Sequence, residues 1–218
     1  MIQQFPKVYI NPELKPIGFQ KFISQLSVGL CKEINLILKA FYQYDDKGID
    51  DLFTIIERTW VGILNNSLIR TDHETVTLQE FRVSNGEKIV GRCDLLFRMN
   101  MEQKNIDSIV ETKCYEFKDN WKSCNFEAFY DKILTQNYNY YNAEINYYQP
   151  DIYFMVIVFE WIRSADKLEK AKNMMDEWDQ NTEPTTDFLT LYMATNRGVF
   201  VYGKIISAKE YILKLANK

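Results

Sequence analysis

Apolar residues recur at spacings of three and four over residues 18–44, where Phe19, Phe22, Ile23, Leu26, Leu30, Ile34 and Ile37 form one stripe. That is the period of a helix with one buried face, and the turn-like DDKG that follows closes it. Leu52, Ile55, Ile56, Trp60 and Ile63 predict a second helix over about 49–66, fading at Asn65-Asn66. The period then drops to two. VTLQEFRV (76–83) alternates, a Ser-Asn-Gly-Glu turn follows, and KIVGRCDLLFRM (88–99) is its expected hairpin partner. IDSIVETKCYEF (106–117) is a third strand, and a long helix is predicted over roughly 125–148. Pro150 ends it, and DIYFMVIVFEWI (151–162) has the unbroken apolar run of a strand buried on both faces. A charged helix (165–180), a hairpin (191–206) with Gly198 in its turn, and a terminal helix in AKEYILKLANK complete the chain. The predicted order is α-α-β-β-β-α-β-α-β-β-α. With no linker, repeat or low-complexity tract, residues 1–218 are expected to form one α/β domain, helices around a mixed central sheet.

Composition narrows the class without changing that picture. The 218 residues are 46% hydrophobic and 26% charged, with a mean hydropathy of -0.32, values of a soluble globular protein. Aromatic residues make up 15%, so the core is expected to be rich in rings, while only 8 Gly and 5 Pro argue against a turn-dense all-β sandwich. The net charge of -4 lacks the basic excess that phosphate binding normally brings, which weakens a nucleic-acid reading; a local positive groove remains compatible with it. Four cysteines without a CxxC pair, and one histidine, speak against clustered zinc or iron–sulfur ligands. The N-terminus carries no secretory signal pattern, and the longest apolar run, Ile152 to Phe159, is far short of the roughly 20 residues that span a bilayer. A cytoplasmic, reducing location and no membrane partner are the expectation.

Three charged residues stand inside apolar strand sequence. Asp94 lies among Val90, Leu95, Leu96 and Phe97, while Glu111 and Lys113 lie among Ile109, Val110, Cys114 and Tyr115. Positions two apart on a strand share a face, and neighbouring strands run about 4.8 Å apart, so parity puts Asp94 within reach of the other two. Buried ions cost several kcal/mol each unless they are paired or bind metal, and a hard divalent cation relieves the repulsion of two close carboxylates. An acid two residues before a lysine occurs at Glu13, Asp45, Glu102, Glu111 and Glu116; only the Glu111 instance lies in a β pattern and follows a strand that contains an acid.

With these residues in place, the sequence resembles the PD-(D/E)xK phosphodiesterase superfamily, whose restriction-endonuclease-like core runs helix, three strands, helix, strand. GRCDLLF and IVETK match its two motifs, and Gly91 to Asp94 together with Gln136 and Tyr140 in QNYNY are closest to the RecB-type branch. The resemblance covers about residues 49–160. It implies that Asp94, Glu111 and the backbone carbonyl of Thr112 bind Mg²⁺ or Mn²⁺, and that Lys113 orients the attacking water and stabilises charge on the phosphate. Glu57, on the helix before the strands, would complete the site, with Glu80 on the first strand as second choice. Gln136 and Tyr140 would bind substrate or support the site. The match departs from the branch in one respect: His73 falls in the loop RTDHET rather than on the upstream helix.

The competing readings are structural. Asp94, Glu111 and Lys113 can form a salt-bridge cluster, Glu57 a solvated helix face, and Gln136 with Tyr140 part of a core helix. Tyr138, Tyr140, Tyr141, Tyr147 and Tyr148 can stack on bases or pack the core. The cysteines and His73 are expected to have no chemistry. Three functions follow: a Mg²⁺- or Mn²⁺-dependent nuclease acting on DNA rather than RNA, a catalytically inactive scaffold of the same fold used for binding or assembly, or a nuclease that relies on a partner subunit for DNA binding; a protein partner or a homodimer is the expected assembly.

Overall fold

A computed structural model describes residues 7–15, 18–42, 57–71, 75–85, 88–101, 104–118, 126–143, 151–179, 186–194 and 197–217. Its strands are β1 (Lys7–Ile10), β2 (Thr75–Asn85), β3 (Lys88–Met101), β4 (Lys104–Glu116), β5 (Ile152–Ile162), β6 (Phe188–Ala194) and β7 (Arg197–Ser207). The helices are α1 (Gly18–Tyr42), α2 (Glu57–Ile69), α3 (Phe126–Ala143), α4 (Ala165–Asp179) and α5 (Ala208–Ala216). All seven strands join one open sheet in the order β1-β6-β7-β5-β4-β3-β2. Within it β4 and β5 are parallel and the other neighbours antiparallel. The parallel pair requires a crossover, which α3 supplies.

The central strand β5 explains the layering. Phe154 to Phe159 are all at most 1% exposed, because helices cover both faces of the sheet. On one face α1 and α2 lay Phe19, Phe22, Leu26 and Trp60 on Leu95, Phe97, Ile157 and Phe159. On the other, α3, α4 and α5 lay Tyr130, Ile133, Leu168 and Tyr211 on Ile109, Phe154, Val156 and Val158. Each such large side chain contributes about 1.5–3 kcal/mol on leaving water, so the two-sided burial read from the apolar run is the main source of stability at the centre.

The observed order has one more strand than the sequence predicts. β1 precedes α1 and pairs antiparallel with β6, from Lys7↔Leu191 to Ile10↔Phe188. Four residues are too few to show alternation, and β1 is a strand because the edge of β6 is there to bond it. Gly198 lies not in a turn but inside β7, opposite Met193 and Ile162. A Cβ there would stand 2.6 Å from the Tyr192 carbonyl oxygen and 3.0 Å from Leu168 Cδ1, so the glycine serves close packing. Helix α2 runs past Asn65-Asn66 to Ile69, because Ser67 and Leu68 are buried and the Ser67 hydroxyl donates to the Ile63 carbonyl at 2.7 Å. The expected helical residues 49–56 and 144–148, the Gly86-Glu87 turn, His73, Cys124, Tyr147 and Tyr148 lie outside the described residues. Among the described residues no helix is long and apolar enough to cross a membrane.

Candidate active site

Strand β4 is regular where it carries its charges. Glu111 pairs with Val156 and Lys113 with Val158 across the parallel ladder. Both valines belong to the core under α3, so Glu111 and Lys113 share the α3 face. The Glu111 side chain is 2% exposed and that of Lys113 21%. The ammonium donates to Glu111 Oε1 at 2.9 Å and to the carbonyl oxygen of Thr112 at 2.7 Å.

Asp94 does not follow parity. Leu95, Phe97, Met99 and Met101 face α1 and α2, whereas Cys93 faces α3, so β3 changes faces between Cys93 and Leu95. The ladder with β2 steps from Gln79↔Leu95 to Phe81↔Cys93 and passes over Glu80 and Asp94. Glu80 has φ 44°, a left-handed backbone that non-glycine residues rarely adopt. The ladder with β4 begins only at Leu95↔Val110. A regular strand would set Asp94 on the face of Glu111. The break instead turns its carboxylate into the gap where β3 leaves β4, and Oδ2 accepts from the Thr112 N–H at 2.8 Å and from the Thr112 hydroxyl at 2.9 Å.

One strand residue presents its N–H and C=O to the same side. Where β3 is missing, Thr112 therefore meets the Asp94 carboxylate with its N–H and the Lys113 ammonium with its C=O. Two charged side chains stand in for a neighbouring strand, which answers the cost of leaving buried main-chain groups unpaired.

The helix α3 closes this region. Gln136 Nε2 donates to the Tyr140 hydroxyl at 2.6 Å, and that hydroxyl donates to the Arg92 carbonyl at 2.8 Å. A Cβ at Gly91 would lie 2.9 Å from Tyr140 Cε1, so the small residue of GRCD and the tyrosine of QNYNY fit one another. Asn137 Nδ2 donates to the Met155 carbonyl at 3.2 Å, tying the same helix to β5. Burial, then the negative charges of Glu111 and Asp94, push the Cys93 thiol far above its usual range. Burial likewise raises the Tyr140 phenol, and the same two carboxylates add to it. Both carboxylates thus act on one thiol beneath α3 and one phenol carried by it.

Asp94, Glu111, Lys113, Thr112, Gln136 and Tyr140 are therefore gathered around the end of the β3–β4 ladder. Glu80, on β2, forms an ion pair with Arg92 at 3.1 Å. Glu57 begins α2, whose Trp60 stacks on Phe159 on the opposite face, and the Glu57 side chain lies outside the described residues. Tyr138 packs on Tyr211 and Tyr141 on Phe154, which is the core role. Sequence reasoning missed Arg92, Cys93 and the Thr112 hydroxyl. A hint was present: the apolar positions Val76 and Leu78 give way to Phe81 and Val83, a change of phase across Glu80.

Asp94, Glu111 and the Thr112 carbonyl are hard oxygen donors that suit Mg²⁺ or Mn²⁺, and two of them already converge on a cation, the Lys113 ammonium. Among the described residues no group of three or more His, Cys, Asp or Glu could hold a metal ion, so a third carboxylate would come from elsewhere. In comparisons with known proteins, no family model, curated protein or solved structure matches the chain.

Proposed function

We propose that this chain is a metal-dependent nuclease that hydrolyses phosphodiester bonds, in DNA rather than RNA, using Asp94, Glu111 and Lys113 in the roles that the PD-(D/E)xK resemblance implies. The observation that carries this reading is the meeting of Glu111 Oε1 and the Thr112 carbonyl on one cationic atom, within 2.9 and 2.7 Å. These are two of the three oxygens assigned to Mg²⁺ or Mn²⁺, and Asp94 borders the same gap. The element run α2-β2-β3-β4-α3-β5 also follows the order helix, three strands, helix, strand.

A divalent ion bound here would polarise a phosphoryl oxygen and acidify the attacking water. The chain's own residues supply the rest. Glu111, 2% exposed, is stable as an anion only against positive charge, so it holds a cation in place. Asp94 is fixed through Oδ2 by two donated bonds, which leaves Oδ1 for a ligand. Lys113 reaches the surface at 21% exposure and donates to phosphate oxygens whose charge grows in the transition state.

A second reading, a scaffold of this fold that binds or assembles without cutting, is favoured by the net charge of -4. Incubation with linear DNA, circular DNA and RNA in Mg²⁺, Mn²⁺ and EDTA separates the two. Cleavage that EDTA and Asp94→Ala both abolish is expected. Absence of cleavage by the folded wild-type protein in either metal transfers the assignment to the scaffold.

A further inference from the structure

We infer that Tyr140 and Gln136 are positioning residues: through the Arg92 carbonyl they hold the face change of β3 that aims Asp94 at Thr112. The inference rests on the nuclease reading only for the catalytic importance it gives to Asp94. A strand that changes faces loses ladder bonds on both sides, and here the β2 ladder passes over Asp94 while the β4 ladder ends at Leu95. Something else must fix that stretch. Gly91 and Arg92, just before Asp94, are held at three points between them. The Arg92 carbonyl accepts from Tyr140 at 2.8 Å, the Arg92 guanidinium pairs with Glu80 at 3.1 Å, and the Tyr140 ring lies against Gly91, where a Cβ would stand 2.9 Å from Cε1. On the far side of the break the Cys93 thiol donates to the Leu95 carbonyl at 3.4 Å.

Gln136 acts one step further out. Its amide donates to the Tyr140 oxygen at 2.6 Å, so the phenol's own proton is directed to Arg92. A hydroxyl without that donor can rotate away; with it, one orientation is selected. Asn137, the next residue, is fully buried and bonds β5 through the Met155 carbonyl, so the helix that carries the clamp is itself anchored. In a chain built this way, the Gln-x-x-x-Tyr spacing puts both groups on one helix face, and glycine at 91 is the residue that leaves room for the ring.

The test uses Tyr140→Phe, which keeps the ring on Gly91 and removes the hydroxyl, and Gln136→Met, which leaves the ring untouched should the first variant fold poorly. Amide hydrogen exchange at Thr112 reports the Asp94 bond without any metal. Electron paramagnetic resonance of free Mn²⁺ reports metal affinity. Faster Thr112 exchange is expected in both variants, with Mn²⁺ binding weakened about 10–100-fold in Tyr140→Phe, as for other groups that orient a ligand. The melting temperature should stay near wild type, and kcat should fall with KM unchanged. Wild-type exchange at Thr112 together with wild-type Mn²⁺ affinity in Tyr140→Phe would overturn the inference. So would a rise in KM for DNA with Thr112 exchange unchanged, which would make the pair a substrate contact. If the wild-type protein neither binds Mn²⁺ nor cuts nucleic acid, yet Thr112 exchange responds to Tyr140→Phe, the positioning role stands and the nuclease reading falls.

Discussion

The centre of the sheet and its β2–β3 edge are built by different rules. In β4 and β5 every residue keeps its alternation, and the ladder is continuous from Asp107↔Ile152 to Glu116↔Trp161. Sheet geometry alone then decides where Glu111 and Lys113 point. At the edge, β2 and β3 break alternation at the same level, with Glu80 in a left-handed conformation. Side chains from α3 take over what the ladder gives up. A strand buried on both faces has no room for such a break, because each residue is gripped by a core on either side. An edge strand has solvent beside it, and Val76 and Leu78 are 67% and 54% exposed. The candidate site therefore sits where the regular centre meets the adjustable edge.

The largest expected effect tests the centre. Phe159 is fully buried and stacks on Trp60 with ring centroids 4.8 Å apart; Phe159→Ala should cost about 3–5 kcal/mol in urea denaturation. Leu78→Ala, at the edge, should change stability by no more than about 0.5 kcal/mol. Similar losses at both sites would erase the distinction.

Lys113→Met probes the junction. In EDTA it leaves the buried Glu111 without its ammonium and should cost about 3 kcal/mol. In Mg²⁺ the loss should shrink, if a metal ion takes over the neutralisation, while the cleavage rate stays about 10²–10³-fold below wild type. A loss that Mg²⁺ leaves unchanged would mark a salt bridge and nothing more.

A pH series examines the thiol beside the break. Cys93 ionises near 9.0 when exposed in the unfolded chain, and burial with Glu111 and Asp94 nearby keeps it neutral in the folded one. Its contribution is complete below pH 9 and is lost as pH rises above that, because only the unfolded state then releases the proton. The slope approaches about 1.4 kcal/mol per pH unit, with Cys31, also raised by burial, adding to it. Urea midpoints between pH 8 and 10 should therefore fall less steeply in Cys93→Ala; equal slopes would mean that the thiol is not held neutral there.

The smallest effect is also the most specific to the edge. At a regular strand position valine is preferred over glycine. At Glu80, with φ 44°, the order should invert: Glu80→Val destabilises by about 1–2 kcal/mol, whereas Glu80→Gly stays within about 0.5 kcal/mol. In the latter, relief of strain offsets the loss of a half-exposed pair with Arg92. A more stable valine variant would show that the strand is regular.

Period and composition sufficed for much of this protein. The stripe of α1, the unbroken apolar run of β5 and the common face of Glu111 and Lys113 are local consequences of helix and strand geometry, and they were legible because both periods repeat within a few residues. Other features were decided by contacts between distant residues. β1 is a strand because β6, far along the chain, offers its edge, from Lys7↔Leu191 to Ile10↔Phe188. Asp94 leaves the face that parity assigns it at a break in β3 where Tyr140, 48 residues after Arg92, bonds the carbonyl two residues before Asp94. Gly91 is needed because that ring must fit. Alternation assumes an undisturbed strand, and only packing between elements can show where the strand is bent.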